Sequence, residues 1–61
     1  MNHNDFIFWT EVLRKQQNLL EERVTDYIEK PMGHKLYLIK ANAIYISLTA
    51  ERIAALEGVK I

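Results

Sequence analysis

The chain has 61 residues, and its eight basic residues balance its eight acidic ones. This length accommodates one domain, residues 1–61, and the charge balance gives no overall attraction to nucleic acid or to an anionic membrane. The absence of cysteine excludes disulfides and thiolate metal sites. Two histidines far apart in the chain make a poor metal framework. We therefore expect no metal and no cofactor, and a core so small that it needs a partner subunit.

The N-terminal stretch MNHNDFIFWTE has neither the basic segment nor the long apolar run of a secretory signal. No apolar stretch approaches the ~20 residues that a membrane-spanning helix requires. We expect a cytoplasmic protein that does not enter a membrane.

The first predicted element is a helix over residues 5–30. Asn4 or Asp5 is a candidate N-cap, because its side-chain oxygen can accept a hydrogen bond from a free backbone amide. Pro31 ends the helix, since it disfavours helical geometry at the preceding residue and has no amide hydrogen. Apolar residues recur at three- and four-residue steps, which places them on one face. This core face of helix 1 consists of Phe6, Trp9, Leu13, Leu20, Val24 and Tyr27.

Two glutamines, Gln16 and Gln17, interrupt the core face in the middle of this helix. One interpretation is a buried polar layer that selects the alignment or the oligomeric state, as in coiled coils. The other interpretation, which we favour, is that both amides lie at the edge of the face and reach water, as long polar side chains usually do.

Residues 35–57 can be interpreted in two ways. Strand-forming residues and the Ala41-Asn42 pair permit a β-hairpin followed by a short helix that Thr49 would cap, although this turn lacks the glycine that favours a two-residue loop. An unbroken three-four spacing of apolar residues through Ile53 favours one helix, which also matches the first helix in length. The connector PMGHK then joins two antiparallel helices, and Gly33 is free to adopt a positive φ.

The predicted fold is therefore all-α, an antiparallel two-helix hairpin of residues 5–30 and 35–57. The alternative is an α+β fold with a helix, a β-hairpin and a short helix. The second helix has two apolar sides, and a single neighbour can cover only one of them. A second copy would cover the other, so we expect a dimer that forms a four-helix bundle.

The two apolar sides are defined by their residues. The oligomer seam consists of Leu36, Ile39, Ala43, Ile46, Ala50 and Ile53. Alanine at every seventh residue of this seam permits close approach of helices. The second apolar face, roughly opposite, consists of Tyr37, Ala41, Ile44 and Leu48.

No glycine-rich phosphate loop, nucleophile elbow or paired metal-ligand spacing is present. The acidic residues of helix 1 have the positions of a solvated face, so we expect no catalytic residue and no enzyme. The leading hypothesis is a non-enzymatic helical module that self-associates and regulates or scaffolds another macromolecule. Phe8, Trp9 and Tyr45 are candidate contacts for a protein partner if the oligomer leaves them exposed, because exposed aromatic side chains often anchor interfaces. The simpler alternative, which we favour, is that all three are buried in the bundle.

The alternative hypothesis is an RNA-binding dimer. Lys30, Lys35 and Lys40 lie in or near the connector, and dimerisation could bring two such clusters together as an anion contact. In length and expected architecture alone, the chain is similar to a plasmid-encoded helical-hairpin dimer that binds paired RNA loops. That resemblance implies an RNA partner but assigns no residue a role.

Overall fold

The computed structural model describes residues 3–61 and contains two α-helices, α1 (His3–Glu29) and α2 (Gly33–Glu57). They pack side by side in a thin slab of 43 × 19 × 11 Å. No residue in the described range forms a β-strand. The all-α hairpin is thus confirmed and the α+β alternative is wrong, because three-four spacing outweighs the strand preference of single residues. Thr49, the cap in that alternative, lies inside α2.

Side-chain hydrogen bonds between the helices define an antiparallel pair. The side-chain amide of Asn42 donates to the backbone oxygen of Gln16 at 3.0 Å. The guanidinium of Arg23 donates to the backbone oxygen of Leu38 at 3.0 Å. Residue numbers therefore fall along α2 as they rise along α1.

α1 begins earlier than its predicted caps. Its first residue is His3, so Asn4 and Asp5 lie in the first turn and the prediction that one of them is the N-cap was wrong. Asp5 has a different role, because a carboxylate in the first turn interacts favourably with the helix dipole.

The connector is shorter than predicted and consists of residues 30–32. The amide of Lys30 still donates to the backbone oxygen of Asp26 at 3.1 Å, and Pro31 then stops the helix. Met32 is extended, and its carbonyl accepts from the amide of Lys35 at 3.0 Å. Gly33 is already the first residue of α2 and has no positive φ, so the expected loop role of Gly33 was wrong.

The C-terminal end of α2 is closed by Gly58, which has φ 70° and ψ 24°. Its amide donates to the backbone oxygen of Ala55 at 3.3 Å, and the amide of Val59 donates to that of Ala54 at 2.8 Å. This pair of bonds is a Schellman motif, in which a left-handed residue lets the chain turn back and satisfy the last carbonyls. Glycine adopts that conformation at no steric cost.

Each helix presents one line of side chains to the other, with residues alternately three and four apart. The line on α1 is half-buried and consists of Phe6, Trp9, Leu13, Gln16, Leu20, Arg23 and Tyr27. The line on α2 is buried or half-buried and consists of Lys35, Ile39, Asn42, Ile46, Thr49, Ile53 and Leu56. A repeat averaging about 3.5 residues is that of a two-stranded coiled coil.

Within this coiled coil, apolar layers alternate with polar ones. The bond from Asn42 to Gln16 sets an alignment in which Ile46 lies opposite Leu13 and Ile39 lies opposite Leu20. The layer between these two apolar layers contains the Asn42 and Gln16 amides. Polar side chains thus lie where a larger protein would have its most apolar residues.

Candidate interaction surface

The hairpin has almost no apolar interior. Among residues 3–61 only Asn42, Thr49 and Ala54 are buried, and two of these three are polar. No large side chain in this range is fully buried. One helix can shield only one side of the other, so a two-helix layer leaves its remaining apolar residues in contact with solvent.

The Gln16–Asn42 layer is incompletely hydrogen-bonded. Asn42 is 3% exposed, and its amide nitrogen binds the Gln16 backbone. The side-chain oxygens of Gln16 and Asn42 are both buried and accept no hydrogen bond from a described residue. Gln17 is exposed, as predicted, whereas Gln16 is half-buried and only its side-chain oxygen is shown to be shielded from water. The helix alignment decides this difference, because Gln16 falls on the α1 line and Gln17 falls beside it.

A second polar layer lies near the connector. The ammonium of Lys35 is 3.0 Å from the Asp26 carboxylate and donates to the Asp26 backbone oxygen at 3.3 Å. The Lys35 side chain is only 11% exposed. Of the three lysines predicted as an anion contact, Lys30 and Lys40 are exposed, and Lys35 is held by an acidic partner.

Aromatic residues cluster near the free ends of the helices. The rings of Phe8 and Trp9 meet edge to face, with centroids 5.1 Å apart. The guanidinium carbon of Arg52 lies 5.5 Å from the centroid of the Trp9 ring, a cation–π distance. This contact ties the start of α1 to the end of α2 and leaves Phe8 exposed.

A shallow groove runs between the helices beside this cluster. It has a volume of about 260 Å³ and lies open to solvent. Its walls are formed by Trp9, Val12, Gln16, Tyr45, Leu48, Thr49 and Arg52. Tyr45 and Leu48, which are exposed, join the groove to the outer surface of α2.

The outer surface of α2 is rich in exposed apolar residues. Within the second apolar face, Tyr37, Ile44 and Leu48 are 76%, 50% and 54% exposed, and Ala41 is half-buried. Leu38 and Tyr45, also exposed, border this face. The segment 41–50, ANAIYISLTA, contains no charged residue on any side. A helix with apolar residues on more than one side is normally covered on each of those sides.

The oligomer seam is divided by the contact with α1. Its three isoleucines and Ala50 are half-buried within the hairpin, and the isoleucines belong to the α2 line. Leu36 and Ala43 are exposed. Contact between this seam and a second copy stays a prediction.

The predicted core face of helix 1 lies largely at the hairpin contact. Five of its members are half-buried on the α1 line, whereas Val24 is exposed. Arg23 takes the position that Val24 was expected to fill, because the alternating three-four repeat passes through residue 23. The aliphatic part of Arg23 can cover apolar surface while its guanidinium binds the Leu38 carbonyl.

Two buried polar residues of α2, Asn42 and Thr49, were not predicted. A signal for them exists in the sequence, since Lys35, Asn42, Thr49 and Leu56 are each seven residues apart. They alternate with the isoleucines at three- and four-residue steps, which is the repeat of a helix contact. The polar character of three of the four residues conceals this repeat from a search for apolar residues.

The acidic side of α1 contains a wide, open groove. Asn18, Glu21, Glu22, Thr25, Asp26 and Glu29 line this groove. In the described part of the chain, no three histidine or acidic residues are arranged to hold a metal ion. Neither helix within residues 3–61 combines the length and the hydropathy needed to cross a membrane.

Comparison of the chain with protein-family models, with curated proteins and with solved structures gave no match. Any function must therefore be inferred from the residues and surfaces of the hairpin.

Proposed function

We propose that the chain is a non-enzymatic helical interaction module that self-associates, in the cytoplasm, and regulates or scaffolds another macromolecule. The observation that carries this proposal is the apolar surface left on a hairpin without an apolar interior. Three of the four residues of the second apolar face are exposed. A large contiguous apolar surface on a small protein is typical of an interaction site.

The surface area supports self-association quantitatively. The hairpin exposes 4887 Å². A folded monomer of its mass, 7.2 kDa, is expected to expose only about 4,100 Å². The excess, roughly 800 Å², equals the area that each partner buries in a protein–protein interface of standard size. Burial of one such interface would give the chain the surface of an ordinary globular protein.

Self-association makes stability depend on concentration. We expect sedimentation equilibrium to give a dimer, and thermal melts followed by circular dichroism at 222 nm to show a Tm that rises over a hundredfold concentration range. Mass action requires that rise when folding and association are coupled. A chain that remains monomeric with a concentration-independent Tm would refute self-association.

RNA binding has weaker support than self-association. Lys35 has an acidic partner, Lys30 and Lys40 form no ion pair with a residue in the range 3–61, and the chain has no net charge. Binding to structured RNA that weakens steeply as salt rises would favour this alternative, because phosphate contacts release counterions.

A further inference from the structure

We propose that the second copy packs on the second apolar face, with the two α2 helices antiparallel at the centre of the dimer and the α1 helices outside. This inference rests on the proposed self-association and specifies its interface. α1 already covers one side of α2, where Asn42 and Thr49 are buried. Three of the four residues of the second apolar face remain exposed, and Leu48 also borders the groove between the helices.

The distribution of charge supports contact through α2. α1 carries six acidic and three basic residues, whereas α2 carries two acidic and three basic ones, so their net charges are −3 and +1 with histidine neutral. An interface between two α1 helices would bring like charges together, which is unfavourable. The segment 41–50 of α2 has no charge to desolvate and would lose only apolar and neutral polar contacts with water.

The direction of the pair follows from the charges at the ends of this segment. Lys40 precedes it and Glu51 follows it, and neither forms an ion pair within the described chain. They are eleven residues apart, about three helical turns, so they lie on nearly the same side of α2. An antiparallel pair places Lys40 of each copy beside Glu51 of the other. A parallel pair would instead leave Lys40 of each copy about three helical turns away from Glu51 of the other.

Twofold symmetry extends this arrangement to the apolar residues. In an isologous interface, every contact between two residues occurs twice. With the twofold axis level with residue 46, Ile44 of one copy lies opposite Leu48 of the other, and Lys40 lies within one residue of the level of Glu51. Tyr37 then lies opposite Ala55 of the second copy, so a large side chain meets a small one.

The first experiment compares two neighbouring residues of α2 that point in different directions. Ile44→Glu places a charge in the proposed interface, and we expect at least a hundredfold weaker dimer by sedimentation equilibrium. Ala43→Glu is the matched control, because Ala43 is exposed on the oligomer seam, about 100° around the helix. We expect Ala43→Glu to leave the dimer intact. Loss of the dimer in Ala43→Glu but not in Ile44→Glu would place the interface on the oligomer seam and overturn this inference.

The second experiment tests the direction without removing an apolar residue. Lys40→Glu or Glu51→Lys alone replaces two attractive pairs with two repulsive ones, and we expect about tenfold weaker association at low salt. The double variant Lys40→Glu/Glu51→Lys should restore the wild-type Kd. Circular dichroism on the same samples shows whether each variant remains helical.

The outcomes separate this inference from the proposed function. A wild-type chain that stays monomeric would refute both. A wild-type dimer that resists Ile44→Glu would retain self-association and refute the α2 interface. A dimer that Ile44→Glu disrupts but the double charge exchange fails to restore would refute the antiparallel arrangement.

Discussion

Replacement of the buried amide at the centre of the hairpin tests whether the polar layer costs stability. Asn42→Leu keeps a side chain of similar size at a position that is 3% exposed. The change removes the hydrogen bond from Asn42 to the backbone oxygen of Gln16. It also removes the side-chain oxygen of Asn42, which is buried and accepts no hydrogen bond from a described residue.

The sign of the expected change in the free energy of unfolding follows from the sizes of the contributions that Asn42→Leu removes and adds. A typical intramolecular hydrogen bond contributes about 0.5–1.5 kcal/mol net, and a buried polar atom without a partner costs about 1–3 kcal/mol. Burial of a leucine side chain contributes a further ~1.5–3 kcal/mol. The Gln16 side-chain oxygen remains buried and reduces this gain. We therefore expect Asn42→Leu to raise the free energy of unfolding by about 1 kcal/mol or more and the Tm by at least about 4 °C.

The assay is thermal and urea unfolding at one fixed chain concentration, followed by circular dichroism. Asn18→Leu is the matched control, because it makes the same chemical change at an exposed position of α1. We expect that control to change the free energy of unfolding by less than about 0.5 kcal/mol. An Asn42→Leu variant that is less stable than wild type would refute the reasoning, since it would mean that the Asn42 amide contributes more than an apolar side chain there.

Three further predictions concern the helix ends. Gly58→Ala should lower the free energy of unfolding by about 1–2 kcal/mol in urea, because alanine is strained at φ 70°. Gly33→Ala should raise the free energy of unfolding by about 0.4–1 kcal/mol, since an added Cβ would meet no atom within 4 Å and φ is not positive. A loss of stability would contradict the helical assignment of Gly33. Arg52→Ala removes the cation–π contact with Trp9, the single tryptophan, and should lower the free energy of unfolding by about 0.5–1 kcal/mol. The same change should alter the fluorescence of Trp9. Unchanged Trp9 emission would show that the cation–π contact does not persist in solution.

The secondary structure could be predicted from local features of the sequence. Pro31 ends α1 because its ring disfavours helical geometry before it, whatever surrounds it. The three-four spacing from Leu36 to Ile53 predicts a helix because that period matches no strand. The errors at Asn4 and Gly33 concern boundaries. A residue that suits a cap or a loop can also occupy the first turn, where the conformational cost is small.

The candidate surface could be predicted only in part. Both apolar sides of α2 follow from the sequence, because a helical projection shows them. Which of the two sides stays open does not follow from the sequence, since the oligomer seam and the second apolar face have similar apolar content. The open side can be identified only once the side that α1 covers is known.

The sequence by itself determined two helices, the site of the turn between them and the excess of apolar surface over what one hairpin can bury. Each of these depends on residue type and on spacing along one chain. Only the tertiary structure decided that Gln16 and Asn42 form a buried polar layer and that the second apolar face stays open. The physical reason is that burial depends on the alignment of two helices. Packing of the whole contact sets that alignment, and a shift of α2 by one residue would turn different side chains toward α1.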